Sequence, residues 1–134
     1  MSTQMDLAAW RERAAQLKFH TQAVIGGRSV DALGGATFDN TNPATGELLC
    51  KVAACEKADV DAAVHSARAA FDQGSWSRQA PAKRKRVLQK FAELLLKHKE
   101  ELALLETLDV GKPIRDSLSV DVTSSSRCIQ WYAE

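Results

Sequence analysis

Residues 104–113 read LLETLDVGKP, and this stretch decides how the rest of the chain is interpreted. It has the features of a helix C-terminus, because Gly111 suits the left-handed conformation that ends a helix and Pro113 cannot continue one. The charge of Lys112 suits the last carbonyls of such a helix. Asp109 is not explained in this way, since the helix dipole disfavours an anion in the last turn by a few tenths to about 1 kcal/mol. A carboxylate at this position invites a cationic partner.

Helical periodicity extends on both sides of this stretch. The apolar spacing predicts a short amphipathic helix over residues 6–18 and a series of helices over residues 57–134. Gly74 is placed to end one of these helices and Pro81 to begin the next. A last helix is predicted from Ile114 onward, and the sequence stops in it without a cap or a breaker. We therefore expect the chain to end inside an element.

Residues 21–54 have strand-like character instead. Glycine pairs at 26–27 and 34–35 separate short runs rich in β-branched residues, a pattern typical of turns between strands. Residues 48–55 follow as one further strand, with Cys50 and Cys55 on opposite faces. This region is predicted to be a small antiparallel β unit.

Composition excludes several classes of protein. The chain has 134 residues, 45% of them hydrophobic and 26% charged, which is about one globular domain's worth of chain. The net charge of +1 gives no general attraction for nucleic acid or for an anionic membrane. No apolar run reaches the roughly 18 residues of a spanning helix, and the first residues do not resemble a signal peptide. A cytoplasmic location is therefore expected, with neither nucleic acid nor membrane as a partner.

Residues with catalytic potential do not assemble into an active site. The three cysteines, an odd number without a CxxC pair, disfavour both a disulfide framework and a zinc site, and packing is their expected role. The histidines are far apart in sequence and are expected at the surface, and the basic run at 83–86 is interpreted as a solvated helix face. Neither GxGxxG nor GxxxxGK[ST] occurs. The residues discussed are Cys50, Cys55, Cys128, His20, His65 and His98.

Four stretches carry a resemblance to a known family: residues 38–46 (FDNTNPATG), 59–71 (DVDAAVHSARAAF), 105–113 (LETLDVGKP) and 131–133 (WYA). In order and spacing they resemble the opening region of the aldehyde dehydrogenases, and the resemblance covers nearly the whole chain. The helix at residues 7–10 and the helix entry at 81–85 are similar to those of bacterial enzymes of polyamine (putrescine) breakdown. Those enzymes oxidise γ-glutamyl-γ-aminobutyraldehyde and similar aminoaldehydes.

The resemblance implies a fold and an activity. The fold class is α/β, with residues 1–134 forming the N-terminal helices and β-hairpin of a Rossmann-like cofactor domain that is truncated before its parallel sheet. Family members oxidise aldehydes to carboxylic acids, transferring a hydride to NAD or NADP after a cysteine attacks the aldehyde, and are dimers or tetramers. The nucleophilic cysteine, the glutamate base and the cofactor turn lie downstream of the matched region. No catalytic or cofactor-binding residue is therefore expected in this chain, which should be inactive alone.

Two family features map onto these residues. Many members bind a structural Na⁺ or K⁺ through a backbone carbonyl before Asn-Pro and the Asp of LETLDxGKP, which implies Thr41 and Asp109. The last helix contributes to the mouth of the substrate tunnel, which implies Val120, Asp121 and Ser124. Asp121 could attract a cationic aminoaldehyde, or it could be an ordinary surface acid.

A chain of this kind is expected to be a piece of a longer enzyme. Its helices would then leave apolar stripes uncovered, which predicts poor stability and aggregation of the isolated chain. The alternative is a non-catalytic α+β module that uses its helices as an interaction surface.

Overall fold

The computed structural model describes residues 6–134 as helices joined to two small hairpins. The elements form three successive blocks: one helix, then four strands, then a continuous series of helices. In chain order the elements are α1 (Leu7–Gln16), β1 (Ala23–Ile25), β2 (Arg28–Val30), β3 (Thr37–Thr41), β4 (Leu48–Ala53), α2 (Lys57–Gln73), α3 (Pro81–Lys97), α4 (Lys99–Val110), α5 (Ile114–Asp116), a π-helical turn (Ser117–Asp121) and α6 (Val122–Ala133).

The predicted β unit over residues 21–54 is two hairpins and not one sheet. β1 pairs with β2 and β3 with β4, each antiparallel, and the described residues form no ladder between the two pairs. The first hairpin turns at Gly26 and Gly27, whose positive φ of 61° and 75° suit a tight turn of type I′. The register of the second shifts between Asn40 and Thr41. Cys55 lies beyond the end of β4, so the expectation that it shares a strand with Cys50 is wrong.

The helix ends agree with the sequence signals. Asp6 caps α1 by accepting a hydrogen bond of 2.8 Å from the amide of Ala9. Gly74 and Gly111 end α2 and α4 in the left-handed conformation, with φ of 76° and 77°. Pro81 is the first residue of α3, as predicted.

A buried carboxylate fixes the start of α2. Asp59 is 3% exposed, and its two oxygens accept hydrogen bonds of 2.9 Å from the amides of Leu33 and Glu56. These two bonds, the one from Glu56 first, lower the pKa of Asp59 because they favour its charged form, while burial acts weakly in the opposite direction. The loop after β2 is thereby attached to the first turn of α2.

The last helix is not regular, contrary to the prediction of a single helix from Ile114. Residues 117–121 form a π-helical turn between α5 and α6. Hydroxyl groups in this stretch donate to backbone carbonyls four or five residues earlier: Ser119 to Arg115 at 2.8 Å, Thr123 to Leu118 at 3.1 Å, and Ser124 to Val120. Such bonds compete with the α-helical ladder and are a local cause of the wider turn.

Small residues make the closest helix contact. Ala92 of α3 is fully buried, and the hydroxyl of Ser126 in α6 donates to its carbonyl at 2.9 Å. At the ends of the same two helices, Lys85 contacts the carboxylate of Glu134. α3 and α6 therefore pack through an alanine and a serine. The buried apolar residues are Ala32, Ala92, Ala103, Leu104, Val122 and Ala133.

Large apolar side chains lie mostly outside this small core. The chain exposes 9,918 Å², whereas a compact monomer of 14.6 kDa exposes about 6,900 Å². The apolar stripe predicted on α2 is among the exposed surfaces, with Val60, Val64 and Phe71 each more than half exposed. The structure thus shows the uncovered apolar faces that the sequence led us to expect. Within residues 6–134 no helix is both long and apolar enough to cross a membrane.

Candidate functional site

The C-terminal end of α4 lies against the second hairpin. Asp109 is in the last turn of α4, and its Oδ1 accepts a hydrogen bond of 2.6 Å from the side-chain amide of Asn40 in β3. Just after the helix, a Cβ added to Gly111 would lie 3.0 Å from Cγ of Pro43 in the β3–β4 loop. The LETLDVGKP stretch therefore attaches the helical region to the hairpin that carries Thr41.

Asp109 has a neutral partner where the sequence argument expected a cation. The amide of Asn40 donates to its carboxylate, and the bond offsets part of the unfavourable position at the helix end. Thr41 follows Asn40 directly, at the irregular point of the hairpin register. The structure thus brings β3 and the carboxylate of Asp109 together. Among residues 6–134 no group of three or more His, Cys, Asp or Glu side chains is arranged to hold a metal ion.

The three residues expected at a tunnel mouth lie at the π-helical turn. Val120 is exposed, and Ser124 is exposed and donates its hydroxyl to the carbonyl of Val120. Asp121 is half-buried, and its carboxylate binds the side chain of Lys112. Val120 in the turn and Ser124 at the start of α6 are therefore exposed, while the carboxylate of Asp121 is engaged within the chain.

Lys112 and Asp121 form an ion pair across the loop after α4. Nζ of Lys112 donates to Oδ1 of Asp121 at 2.7 Å, and it lies 2.7 Å from Oδ2 as well. Within the described part of the chain, Oδ2 is buried and accepts no hydrogen bond of suitable geometry. The hydrogen bond to Asp121 raises the pKa of Lys112, and the charges of Asp121, Glu106 and Asp116 add to this effect. Lys112 is therefore a permanently charged group in an acidic setting.

Sequence reasoning did not find this pair. It assigned Lys112 to the last carbonyls of α4, and Asp121 either to a cationic substrate or to the surface. The sequence did contain a signal: Asp121 follows Lys112 by nine residues, and two such residues can come into contact when a turn and the start of a helix lie between them. The π-helical turn changes which side chains share a face, however, so the helical spacing of a regular helix does not identify the partner.

The cysteines, histidines and basic run were expected to be structural or solvated. Cys50 is half-buried, whereas Cys55 and Cys128 are exposed, so the packing role expected for these two is wrong in this chain. All three histidines are exposed, as predicted. In the basic run Lys83 and Arg86 face solvent, but Arg84 donates to the carbonyl of Ser77 at 3.1 Å and Lys85 contacts Glu134. The interpretation as a solvated face therefore holds for half of the run.

Comparison with known proteins places this geometry in a family. The model of the family described as "Aldehyde dehydrogenase family" matches residues 30–134. The chain is similar to the "NADP/NAD-dependent aldehyde dehydrogenase PuuC" of Escherichia coli, with 46% identity over 96% of this chain and 26% of that protein. It is also 50% identical to the "Aminoacetaldehyde dehydrogenase" of Pseudomonas aeruginosa, over 90% of this chain and 24% of that protein.

A solved structure superimposes on almost the whole chain. It is the γ-glutamyl-γ-aminobutyraldehyde dehydrogenase of Burkholderia cenocepacia, which is 50% identical and matches with a TM-score of 0.95. The match covers 96% of this chain and 26% of that one. The chain therefore spans about a quarter of the length of the relatives that it matches.

Proposed function

Because the chain belongs to the aldehyde dehydrogenase family, we propose that it forms the N-terminal quarter of an NAD(P)-dependent enzyme that oxidises aldehydes to carboxylic acids. The observation that supports this most strongly is the superposition with a TM-score of 0.95 on a dehydrogenase of which the chain covers 26%. The uncovered apolar faces of the helices support it too, because they need a further layer of protein to become buried.

We propose that the reaction takes place on polypeptide outside these residues. A dinucleotide binds where parallel strands end next to helix N-termini, and the ladders of residues 6–134 are antiparallel pairs only. We therefore assign no step of hydride transfer to these residues. Their role in the proposed enzyme is to cover the cofactor domain and to shape one side of the substrate entrance.

The proposed substrates are aminoaldehydes of polyamine breakdown. The names of the relatives support this class, since two of the similar proteins act on γ-glutamyl-γ-aminobutyraldehyde and on aminoacetaldehyde. The name of a third supports either NAD or NADP as the cofactor. We further propose that the enzyme is a homo-oligomer of the cytoplasm, where three free cysteines would stay reduced.

Two local roles belong to the same proposal. Thr41 and Asp109 would hold a structural Na⁺ or K⁺, and the fit is chemical: a carbonyl and a carboxylate are hard oxygen ligands. Oδ1 of Asp109 accepts the hydrogen bond from Asn40, so Oδ2 would be the oxygen that binds the ion. Val120, Asp121 and Ser124 would form one side of the tunnel mouth, which is consistent with the exposure of Val120 and Ser124 at the π-helical turn.

Complementation tests the proposal. The 134-residue chain is mixed with the remaining three quarters of the Escherichia coli relative, and NADH formation from an aminoaldehyde is followed at 340 nm. A chimera in which residues 1–134 replace the matching quarter of that relative is assayed in parallel, with the relative itself as the control. We expect no turnover from either piece alone and turnover from the mixture or the chimera. A folded chimera without activity contradicts the proposal, and binding of the chain to an unrelated protein without recovered activity would support the interaction module instead.

A further inference from the structure

Lys112 and Asp121 form an ion pair to which no residue pattern assigned a function. We infer that Lys112 is a positioning and specificity-determining residue: it holds the π-helical turn through Asp121, and it cancels the charge that Asp121 would otherwise present to a substrate. The part of this inference that concerns substrates rests on the proposed function, in which the turn forms one side of the tunnel mouth.

The geometry supports the positioning role. Lys112 stands in the loop between α4 and α5, directly after the glycine that ends α4, and Asp121 is the last residue of the π-helical turn. The contact of 2.7 Å between them closes the loop and the turn into a compact unit. Ser117, at the start of the turn, is fully buried, and its hydroxyl accepts a hydrogen bond of 3.3 Å from Thr107 of α4. The turn is thus attached to α4 at its first residue and to the loop after α4 at its last residue.

The surrounding charges support the second role. Lys112 is the basic residue that contacts Asp121. The negative charges of Glu106 and Asp116 also stabilise the positive charge of Lys112. The guanidinium of Arg115 is paired with Asp116 at 3.1 Å. The five charged side chains together carry a formal charge of −1, and removal of the lysine alone would leave −2. The charge of the turn is therefore set by whether Lys112 is present.

This arrangement changes the physical reason why Asp121 could affect a cationic substrate. A free Asp121 would attract the ammonium group of an aminoaldehyde. A paired Asp121 does not, and its replacement by asparagine would instead expose the positive charge of Lys112. Lys112→Met and Asp121→Asn are therefore expected to shift the preference for cationic aldehydes in opposite directions.

Amide hydrogen exchange tests the positioning role without catalysis. In the folded chimera, whether or not it is active, Lys112→Met should raise the exchange rate of residues 117–121 by about two- to fivefold, the range for a partly exposed ion pair. Lys112→Arg keeps the charge and should restore protection. Lys90→Met, which removes an exposed ion pair of 3.1 Å with Glu93 on α3, is the matched control and should leave the turn unchanged. Unchanged exchange in Lys112→Met would overturn the positioning role.

Steady-state kinetics of the chimera test the role in specificity. The measured quantity is kcat/KM for 3-aminopropanal divided by that for butanal. Lys112→Met should raise this ratio about two- to fourfold and Asp121→Asn should lower it by a similar factor, as expected for charges about 10 Å apart in a wet site. The double variant should return to near the parent ratio. A shift of both single variants in the same direction would overturn the specificity role.

The exchange experiment and the kinetic experiment distinguish a failure of the proposed function from a failure of either role of Lys112. An inactive but folded parent chimera refutes the proposed function and with it the role in specificity, whereas the exchange experiment still decides the positioning role. An active chimera whose ratio ignores Lys112 refutes the specificity role alone.

Discussion

Replacement of Val64 and Phe71 by glutamate in the isolated chain tests whether the exposed stripe of α2 is a surface that other polypeptide must cover. The side chains are 62% and 59% exposed, so the substitutions remove few contacts within the chain. The chain exposes 9,918 Å², about 3,000 Å² more than a compact monomer of its mass. This excess is more than three times the roughly 800 Å² that one partner contributes to a standard interface. We therefore expect the parent chain to self-associate at micromolar concentration.

The magnitude follows from the two side chains. A fully buried Val or Phe contributes about 1.5–3 kcal/mol, so covering the exposed half of each gives about 1 kcal/mol. Loss of both should weaken self-association at least roughly tenfold. Sedimentation velocity across a concentration series measures this change, and circular dichroism should show unchanged helix content. Ala62→Glu with Ala70→Glu is the matched control, because it adds the same charges to exposed positions of α2 and removes no large apolar group.

The chimera should respond in the opposite way. In the chimera we expect the stripe to be covered, so Val64→Glu with Phe71→Glu should reduce its soluble yield and thermal stability. The control, Ala62→Glu with Ala70→Glu, should reduce them less. The reasoning is refuted if the parent chain sediments as a monomer at about 100 μM and unfolds cooperatively, or if the chimera tolerates the two glutamates as well as the isolated chain does.

Three further predictions concern single residues. Gly111→Ala should destabilise the chimera more than Gly46→Ala in thermal denaturation: both glycines have positive φ, of 77° and 74°, but only at Gly111 does the new Cβ meet a neighbour, at 3.0 Å from Pro43. The left-handed strain is about 1–2 kcal/mol at each site, and the crowding adds roughly 1 kcal/mol at Gly111. Equal losses of stability in the two variants would show that the end of α4 is not in close contact with the hairpin. The pKa of Asp59 is lowered by its backbone donors, so its contribution to stability is complete above about pH 4 and is lost as the pH falls through the lower folded value. Asp59→Asn should therefore reduce stability at pH 7 and flatten its decline in acid, and parallel pH profiles of the two proteins would contradict this. Asp109→Ala should lower the melting temperature of the chimera and remove its dependence on K⁺ or Na⁺, and a melting temperature of the parent that ignores both salts would exclude the cation.

Local signals predicted the helix ends well because each end depends on one or two residues. Gly74 and Gly111 adopt positive φ at the ends of α2 and α4, and Pro81 begins α3, as their chemistry requires. The strand region was predicted as a small antiparallel β unit, without its division into two hairpins. Glycine pairs indicate where a chain turns, whereas the pairing of one hairpin with another depends on contacts that no local pattern contains.

Sequence reasoning singled out Asp109 and Asp121 but did not find their contacts. Asp109 was recognised as unusual from the helix dipole, yet its partner Asn40 is 69 residues away and carries no charge. Lys112 and Asp121 were each given a separate role because a regular helix would not bring them together. The two residues meet at the π-helical turn, around which three hydroxyl groups donate to backbone carbonyls and so compete with the α-helical ladder.

The sizes of the buried side chains argue that the chain is one layer of a larger packing arrangement. Among the described residues, the largest side chains that are almost completely buried are two serines, Ser117 and Ser126. A domain that provides its own core buries leucine, isoleucine and phenylalanine there, because these side chains contribute most to the hydrophobic effect. Here Phe91 is 50% exposed and Trp131 is 77% exposed. Small residues bring α3 and α6 into close contact and leave the large apolar groups exposed, which is the arrangement expected of helices whose outer faces pack against a further layer of protein.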